Sequence, residues 1–219
     1  IPTTPPDSST SDPEPLGAVE IFSIVSPSVA FLSTPLATGS GILIEGGYVL
    51  TNEHVIWPFD NARVVFPNGA EFLEVPVVAK DPLTDIALLG PIDINVSPAP
   101  IGNGETLPIG ASTFLIGYPG ESEDFPQPTL TSGLISRIRE WEPGEITFIQ
   151  TDQAIAGGQS GGALVSSDGQ IIGISGLTVT EALFPLTASI HDVMRRVDRM
   201  LGGEDISGIG DRSVVGKSP

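Results

Sequence analysis

A serine surrounded by glycines is the first candidate for chemistry, in the segment GGQSGG at residues 157–162. A serine hydroxyl is a weak nucleophile, so it needs a base to take its proton and donors for the oxyanion that forms at the attacked carbonyl. The glycines allow the backbone to turn so that the amides of Gly158 and Ser160 point at one spot. The segment predicts a nucleophile, Ser160, with an oxyanion hole from these two amides, although an ordinary Gly/Ser loop has the same composition.

The chain contains two histidines, and their surroundings differ. His54 follows the apolar run VLT and stands just before Trp57-Pro58, where a strand gives way to a loop. His191 falls on the polar side of a predicted helix, near its N-terminus, where a solvated side chain is expected. His54 is therefore the candidate general base.

Asp85 opens the apolar run DIALL, and a charge at the edge of a buried strand needs a partner. An imidazole N–H would supply one, and the carboxylate would in turn fix the tautomer and stabilise the imidazolium. Asp81, Asp152 and Glu53 are alternatives for this role. Asp81 precedes a proline and is typical of a turn, whereas Glu53 is adjacent to His54 and would point elsewhere, so Asp85 is preferred.

Two sets of short apolar runs must position these residues. The first set, SVAFLS, GSGILIE, YVLTN, RVVF and DIALLG, is broken by Gly-Gly, Pro-Asn-Gly and Asp-Pro and predicts an antiparallel barrel over residues 26–109. The second set, STFLIGY, LTSGLISRI, ITFIQT, GALVS, QIIGISGLTV and FPLTAS, predicts a second barrel over residues 110–188.

Helices are predicted at both ends of the barrels. A short helix would place Val19, Phe22 and Val25 on one face and end before Ser26-Pro27. A longer one, residues 189–201, begins at a box of Ser189 and Asp192 and ends at Gly-Gly. Its predicted apolar face consists of Ile190, Val193, Met194, Val197, Met200 and Leu201. Residues 1–15 resemble a Pro-rich linker, residues 16–203 form the predicted domain, and residues 204–219 form a tail.

Composition excludes several classes of function. A net charge of -18 repels phosphate backbones and anionic lipid headgroups, so neither nucleic acid nor a membrane surface is an expected partner. The absence of cysteine excludes disulfides, thiolate metal sites and cysteine nucleophiles. No apolar run approaches the roughly 18 residues of a spanning helix, so membrane insertion is not expected.

Three blocks resemble the HtrA/Deg family of trypsin-like serine proteases: TNEHV around His54, TDIALL around Asp85 and IQTDQAIAGGQSGGALV around Ser160. The segments SPSV, ATGSGILI, IGYPG and LTSGLIS add to the likeness, which covers residues 18–202. The resemblance implies an all-β fold of two six-stranded antiparallel β-barrels, with the triad between them and a C-terminal α-helix. It further implies ATP-independent cleavage of unfolded or damaged proteins and peptides without metal or cofactor, an extracytoplasmic location, and a possible homotrimer through residues 19–25.

The sequence departs from the family pattern in three respects. Only a short tail follows the predicted C-terminal helix, where the family commonly has PDZ domains. Residues 33–41 leave little room for the family's long loop in the first barrel. Gln159 stands where digestive proteases have an aspartate that pairs with a new N-terminus, so zymogen activation through such an ion pair is not expected.

The same resemblance places Ala154, six residues before Ser160, at the base of the primary specificity pocket. The other predicted pocket residues are Ile155, Ser175, Gly176, Leu177 and Ala188. All are small or apolar, and an unpaired buried cation would cost several kcal/mol. The expected residue before the cleaved bond is therefore a small or medium aliphatic.

Two other readings remain open at this point. GQSGG satisfies the GxSxG pattern of α/β-hydrolases, with Ser160, Asp168 and His191 in the order of that fold, but a predicted strand rather than a helix follows the serine. Alternatively, a protease fold whose oxyanion loop rests in an inactive form would act as a binding or chaperone-like module.

Overall fold

A computed structural model of the chain describes residues 15–103, 108–120, 126–178, 185–204 and 206. Most of the predicted N-terminal linker and most of the predicted tail lie outside these residues. The described part consists of two closed six-stranded antiparallel barrels and a C-terminal helix, which confirms the predicted fold.

The first barrel has the strand order β1-β2-β3-β6-β5-β4. Its strands are β1 (Val29–Ser33), β2 (Thr38–Ile44), β3 (Tyr48–Thr51), β4 (Asn61–Val65), β5 (Glu71–Asp81) and β6 (Ile86–Leu89). Five of them coincide with the five predicted runs. A tight turn joins β1 to β2, where the Thr34 amide donates to the Ala37 carbonyl at 2.9 Å, so the predicted lack of a long loop there is confirmed.

Strand β5 was not predicted. Its register shifts against both β4 and β6, and Leu73 and Val78 are exposed while Val75 is buried. Each shift interrupts the alternation of inward and outward side chains, which is the pattern that identifies a strand in a sequence. Pro76 within the run also argues against a strand on sequence grounds.

The second barrel has the order β10-β11-β12-β9-β8-β7. Its strands are β7 (Ser112–Gly117), β8 (Thr129–Trp141), β9 (Ile146–Thr151), β10 (Ala163–Ser166), β11 (Ile171–Thr178) and β12 (Pro185–Ser189). All six predicted runs are strands.

The N-terminal helix α1 (Ala18–Val25) ends where predicted, but its buried face is not the predicted one. Ile21 and Val25 are buried, whereas Val19 is 84% exposed. Positions 19 and 25 lie about 120° apart around a helix of 3.6 residues per turn, at the two edges of the predicted face. The buried face is rotated toward Ile21, so Val25 is buried, Phe22 packs partly against the core and Val19 faces solvent.

Helix α2 (Glu53–Ile56) is a single turn in the first barrel. Helix α3 (Ile190–Leu201) follows the last strand of the second barrel. Its buried apolar residues are Ile190, Val193, Val197 and Met200, as predicted, but Leu201 is exposed. The predicted capping box is wrong, because Ser189 makes no side-chain cap bond and the Asp192 carboxylate accepts the Thr147 amide at 2.8 Å instead. Asp192 thereby fastens α3 to β9 rather than closing its own first turn.

The two barrels share a core. In β1, Ala30 and Leu32 belong to an apolar cluster confined to the first barrel. The alternate residues, Val29 and Phe31, belong to a cluster that also contains residues of the second barrel, α1 and α3. Because successive side chains of a strand face opposite sides, β1 is buried on both faces. This shared core fixes the position of one barrel against the other, and hence the geometry of the cleft.

Candidate active site

His54 and Asp85 lie in contact at the edge of the first barrel. Asp85 Oδ2 is 2.7 Å from His54 Nδ1, and Asp85 Oδ1 accepts the His54 amide at 2.9 Å. An ionised carboxylate can only accept, so Nδ1 carries the proton and Nε2 is left as the acceptor. The His54 side chain is 46% exposed and that of Asp85 is 11% exposed, as expected for a base that meets substrate and a carboxylate that holds it.

The backbone of Asp85 adds to this arrangement. Its carbonyl accepts the Glu53 amide at 3.1 Å and the Asn52 Nδ2 at 3.0 Å. Asp85 also has a φ of 59°, in the left-handed region that aspartate enters more readily than most residues. With both its side chain and its carbonyl bonded to residues 52–54, Asp85 sets the position of the whole turn that carries His54.

The other acidic candidates are engaged elsewhere. Asp81 is fully buried and pairs with Arg196 at 2.6 Å. Asp152 accepts the Leu134 amide at 2.7 Å. Of the three aspartates considered, Asp85 is the one whose carboxylate bonds to the imidazole.

Ser160 lies in the loop between β9 and β10, and this loop contacts the first barrel. The Ser160 carbonyl accepts the Ser40 amide at 2.7 Å. Gly161 has a φ of 84°, and a Cβ there would overlap the Ser40 carbonyl and lie 2.6 Å from Thr51 Oγ1. Thr51 stands three residues before His54, so the segment that carries the predicted nucleophile packs against the strand that leads to the predicted base.

The amides predicted to form the oxyanion hole, those of Gly158 and Ser160, lie in a turn in which a hydrogen bond orients the Gly157–Gly158 peptide. The Gly157 carbonyl accepts the Gly120 amide at 2.6 Å. In a trans peptide the N–H points opposite to the C=O, so the Gly158 N–H points away from Gly120. Among the hydrogen bonds of the described residues, none uses the amide of Gly158 or Ser160 as donor. The two amides therefore stay the predicted donors of an oxyanion hole.

Gln159 closes this turn from inside. Its side chain is almost fully buried, and its Oε1 accepts the Ala156 amide at 2.7 Å. Its own amide donates to the Ala156 carbonyl at 3.1 Å. The neutral Gln159 side chain therefore makes the internal contacts of this loop. In digestive proteases an aspartate at this position pairs with the new N-terminus instead.

Ser40 is a supporting residue that sequence reasoning missed. Its hydroxyl donates to the Gly158 carbonyl at 2.9 Å and accepts the Tyr118 amide at 2.9 Å, so it joins the loop to the strands on both sides. The available signal was a polar residue between Gly39 and Gly41 in an otherwise apolar strand, a pattern that permits close approach of another backbone.

The residues predicted to line the specificity pocket differ in their burial and in their contacts. Ala154 is exposed, and Ile155 packs partly against the core of the second barrel. Ser175 is fully buried and its hydroxyl donates to the Gln159 carbonyl at 2.5 Å, so its side chain contacts the nucleophile loop. Ala188 is buried in β12 beside Ile174.

Gly176 faces the His54 turn, since a Cβ there would overlap Asn52 Oδ1. The side chain of Leu177 lies outside the described part of the chain. The pocket as a whole stays a prediction.

The constellation expected of an α/β-hydrolase is not formed. Strand β10 begins three residues after Ser160, where that fold requires a helix. Asp168 lies in the turn after β10 and accepts a hydrogen bond from the Ser166 hydroxyl, while His191 belongs to α3. This reading of the sequence is wrong at the level of the fold.

The described residues contain neither a cluster of metal-binding side chains nor a membrane-spanning helix. No three His, Asp or Glu side chains there are grouped so that they could hold a metal ion. Among the helices that the structure describes, none combines the length and the apolar character needed to cross a membrane.

Comparisons with known proteins agree with this geometry. Residues 39–174 match the family model of the trypsin-like peptidase domain. Serine endoprotease DegS of Haemophilus influenzae is 33% identical over 178 residues, covering 74% of this chain and 50% of the relative. Periplasmic serine endoprotease DegP of Escherichia coli strain K12 is 40% identical over 150 residues, covering 64% of this chain and 30% of the relative.

Solved structures give the same result. The HtrA-type protease AlgW with tripeptide matches with a TM-score of 0.73 and 30% identity, covering 85% of this chain and 64% of that one. A serine endoprotease from Yersinia pestis matches with a TM-score of 0.73 and 30% identity, covering 86% of this chain and 68% of that one. The chain thus spans between 30% and 50% of the length of the two curated relatives named above.

Proposed function

The chain belongs to the trypsin-like peptidase family, with HtrA-type proteases among its relatives, and from that premise we propose that it is a serine endopeptidase with Ser160, His54 and Asp85 as its triad. The observation that carries the proposal is the 2.7 Å contact between His54 Nδ1 and Asp85 Oδ2, together with the second bond from Asp85 to the His54 amide. These two bonds orient the imidazole and leave Nε2 as the acceptor.

In the proposed mechanism, His54 Nε2 takes the proton of the Ser160 hydroxyl as the oxygen attacks the peptide carbonyl. The Asp85 carboxylate stabilises the imidazolium that results, without itself becoming protonated. The imidazolium then protonates the leaving amine, and the first product departs from an acyl-enzyme. A water molecule, deprotonated by the same imidazole, attacks the ester, and the imidazolium returns the proton to the Ser160 oxygen as the second product leaves.

The negative charge on the attacked oxygen would be held by the amides of Gly158 and Ser160. Fixed N–H dipoles act where the charge develops and need no reorganisation during the reaction, so one such donor is worth a factor of about 10² to 10³ in kcat. The orientation of the Gly157 carbonyl toward Gly120 supports a loop that is ready for catalysis. It argues against the alternative of a binding or chaperone-like module with an inactive loop.

A digestion of casein with and without a serine-reactive phosphonate tests the proposal. We expect digestion that the phosphonate abolishes. His54→Ala should remove the activity, and His191→Ala, a substitution outside the proposed site, should leave it intact. The opposite pattern for the two histidines would overturn the assignment of the base.

For specificity we propose an aliphatic residue of small or medium size before the cleaved bond. None of the predicted pocket residues carries a charge; they are Ala154, Ile155, Ser175, Gly176, Leu177 and Ala188. Each methylene that fits contributes only about 1 to 3 kcal/mol, so the preference should be graded among aliphatic residues and sharp against charged ones. Digestion of a peptide library measures it, and cleavage clustered after Lys, Arg or Glu would contradict the pocket while leaving the triad in place.

The names of the relatives suggest a periplasmic setting, and we propose an extracytoplasmic location and unfolded or damaged proteins as substrates. We also propose a homotrimer in which α1 contributes to the contact. Val19 and Ile24 are exposed apolar residues of that helix and would gain from being covered. Light scattering at micromolar concentration tests the assembly, and a monodisperse monomer would end the idea.

A further inference from the structure

Arg196 is an unusual member of α3, because its side chain is only 9% exposed. A guanidinium stays charged in proteins, so burying it is costly unless its donors are matched. Nη1 donates to Asp81 Oδ2 at 2.6 Å, and Nη2 donates to the Gly144 carbonyl. One side chain thus connects α3 with the end of β5 in the first barrel and with the β8–β9 connection in the second.

Asp81 organises the turn that leads to Asp85. Its Oδ1 accepts the Leu83 amide at 3.1 Å, and its Oδ2 accepts the Thr84 hydroxyl at 2.5 Å in addition to Arg196. The carboxylate is fully buried, and these three donors account for its main acceptor directions. The path of residues 82–85 is therefore fixed by a single carboxylate whose only cationic partner among the described residues is Arg196.

Asp85 stands at the end of this turn in the left-handed conformation, with a φ of 59°. Such a conformation is costly for a residue with a side chain and persists where the surroundings over-determine it. The hydrogen bonds of Asp85 to residues 52–54 constrain its side chain and its carbonyl. The bonds of Asp81 to Leu83 and Thr84 constrain the backbone that leads to it. If the turn relaxed, the carboxylate would rotate away from His54.

We propose that Arg196, acting through Asp81 and Thr84, is a positioning residue that holds Asp85 in the orientation that His54 requires. The inference rests on the proposed function, since it concerns the same triad. Stability alone is a weak reason for such a pair, because the cost of desolvating two charges offsets much of their attraction. A second arginine of α3, Arg199, pairs with Glu204 at the surface. Its charge interacts with Asp81 at longer range, but its side-chain hydrogen bonds among the described residues go to Glu204.

The test compares Arg196→Lys with Arg199→Lys. A lysine keeps the charge but cannot bond Asp81 and Gly144 together, because it lacks the fork of the guanidinium. The first readout is the downfield proton NMR signal of the His54 Nδ1–H, which reports the bond to Asp85 whether or not the protein hydrolyses peptides. The second is kcat and KM on one peptide.

We expect Arg196→Lys to broaden or shift the Nδ1–H signal and to lower kcat by between about tenfold and a hundredfold with little change in KM. Arg199→Lys should change neither. A folded Arg196→Lys protein with an unchanged Nδ1–H signal and unchanged kcat would overturn the proposal.

Thr84 offers a milder test if Arg196→Lys fails to fold. Thr84→Val removes the hydroxyl that Asp81 accepts and preserves the shape, whereas Thr84→Ser keeps the hydroxyl. We expect Thr84→Val to shift the Nδ1–H signal and lower kcat by less than Arg196→Lys does. Thr84→Ser should keep the wild-type signal and the wild-type kcat. Equal behaviour of the two variants would overturn the proposal. A wild-type protein with the Nδ1–H signal but no hydrolysis would contradict the proposed function alone.

Discussion

At the scale of single residues, Asp85 is bonded to the turn that carries His54 through both its carboxylate and its carbonyl. Its carboxylate makes two hydrogen bonds to His54, and its carbonyl makes two more to the residues just before. The sequence indicated the carboxylate's role, because a charge at the lip of a buried strand needs a partner. It could not indicate the carbonyl bonds or the left-handed backbone, since these depend on how the turn packs against α2.

Asp85→Asn should preserve the fold and lose most of the activity. An amide of the same shape can donate to His54 Nδ1, which moves the imidazole proton to Nε2 and leaves no acceptor for the serine proton. A loss of about 10⁴ in kcat is expected, as for the equivalent change in a serine protease triad. Asp168→Asn, at an exposed position of the β10–β11 turn, is the matched control. Comparable peptide hydrolysis by both variants would remove Asp85 from the triad.

At the scale of the elements, the sequence predicts best where the pattern is regular. The six strands of the second barrel and five of the first coincide with short runs rich in apolar and β-branched residues that turn residues separate, and all were found. Strand β5 was missed because Pro76 and charged residues interrupt its apolar residues, in addition to its register shifts. The predicted face of α1 was right only in part, because Val19, at one edge of that face, is exposed. The capping box of α3 failed for another reason: Asp192 has a better partner in Thr147, which only the tertiary structure supplies.

The turn before Ser160 offers a prediction at this scale. Gly158 has a φ of 88°, and a Cβ there would lie 2.5 Å from the Gly120 amide nitrogen. Gly158→Ala should therefore shift the turn and break the bond between Gly157 and Gly120. We expect kcat to fall by about 10² to 10³, the effect of losing one oxyanion donor, with a smaller change in KM.

Gly110 provides the control for this substitution. It has the same φ of 88°, but a Cβ there meets nothing within 4 Å. Gly110→Ala should carry the same backbone strain, about 1 to 2 kcal/mol, without a change in turnover. Equal kinetics for the two alanine variants would show that the turn does not shape the oxyanion hole.

At the scale of the whole molecule, Tyr118 joins the two barrels. It follows β7 of the second barrel, lies almost fully buried in the shared core, and packs edge-on against Phe31 of β1 with ring centres 5.7 Å apart. Its hydroxyl donates to the Val29 carbonyl at 3.1 Å. Burial raises the pKa of the Tyr118 hydroxyl well above its ordinary value of about 10.

The raised pKa makes stability depend on pH in one direction. The unfolded chain loses the Tyr118 proton above about pH 10, while the folded protein retains it, so this contribution to stability is complete below that pH and is lost as the pH rises. Tyr118→Phe should cost about 1 kcal/mol at neutral pH through the lost hydrogen bond, and its stability should decline less steeply above pH 10. Urea unfolding at a series of pH values measures both effects.

Tyr48→Phe is the control, since Tyr48 is the other tyrosine of the chain and is partly exposed. If the stability of the wild type and of Tyr118→Phe declined equally steeply above pH 10, the ionisation of Tyr118 would not be coupled to folding.

The most direct test of the account is the reaction of the chain with a serine-reactive phosphonate, followed by mass spectrometry, beside casein digestion by wild type and Ser160→Ala. We predict one phosphonate per wild-type chain, attached to Ser160, and none on the variant. The variant should keep its fold and retain less than about one thousandth of the wild-type hydrolysis, because removing a triad member abolishes acyl-enzyme formation. Attachment at another residue, or casein digestion by Ser160→Ala at the wild-type rate, would contradict the assignment of Ser160 as the nucleophile.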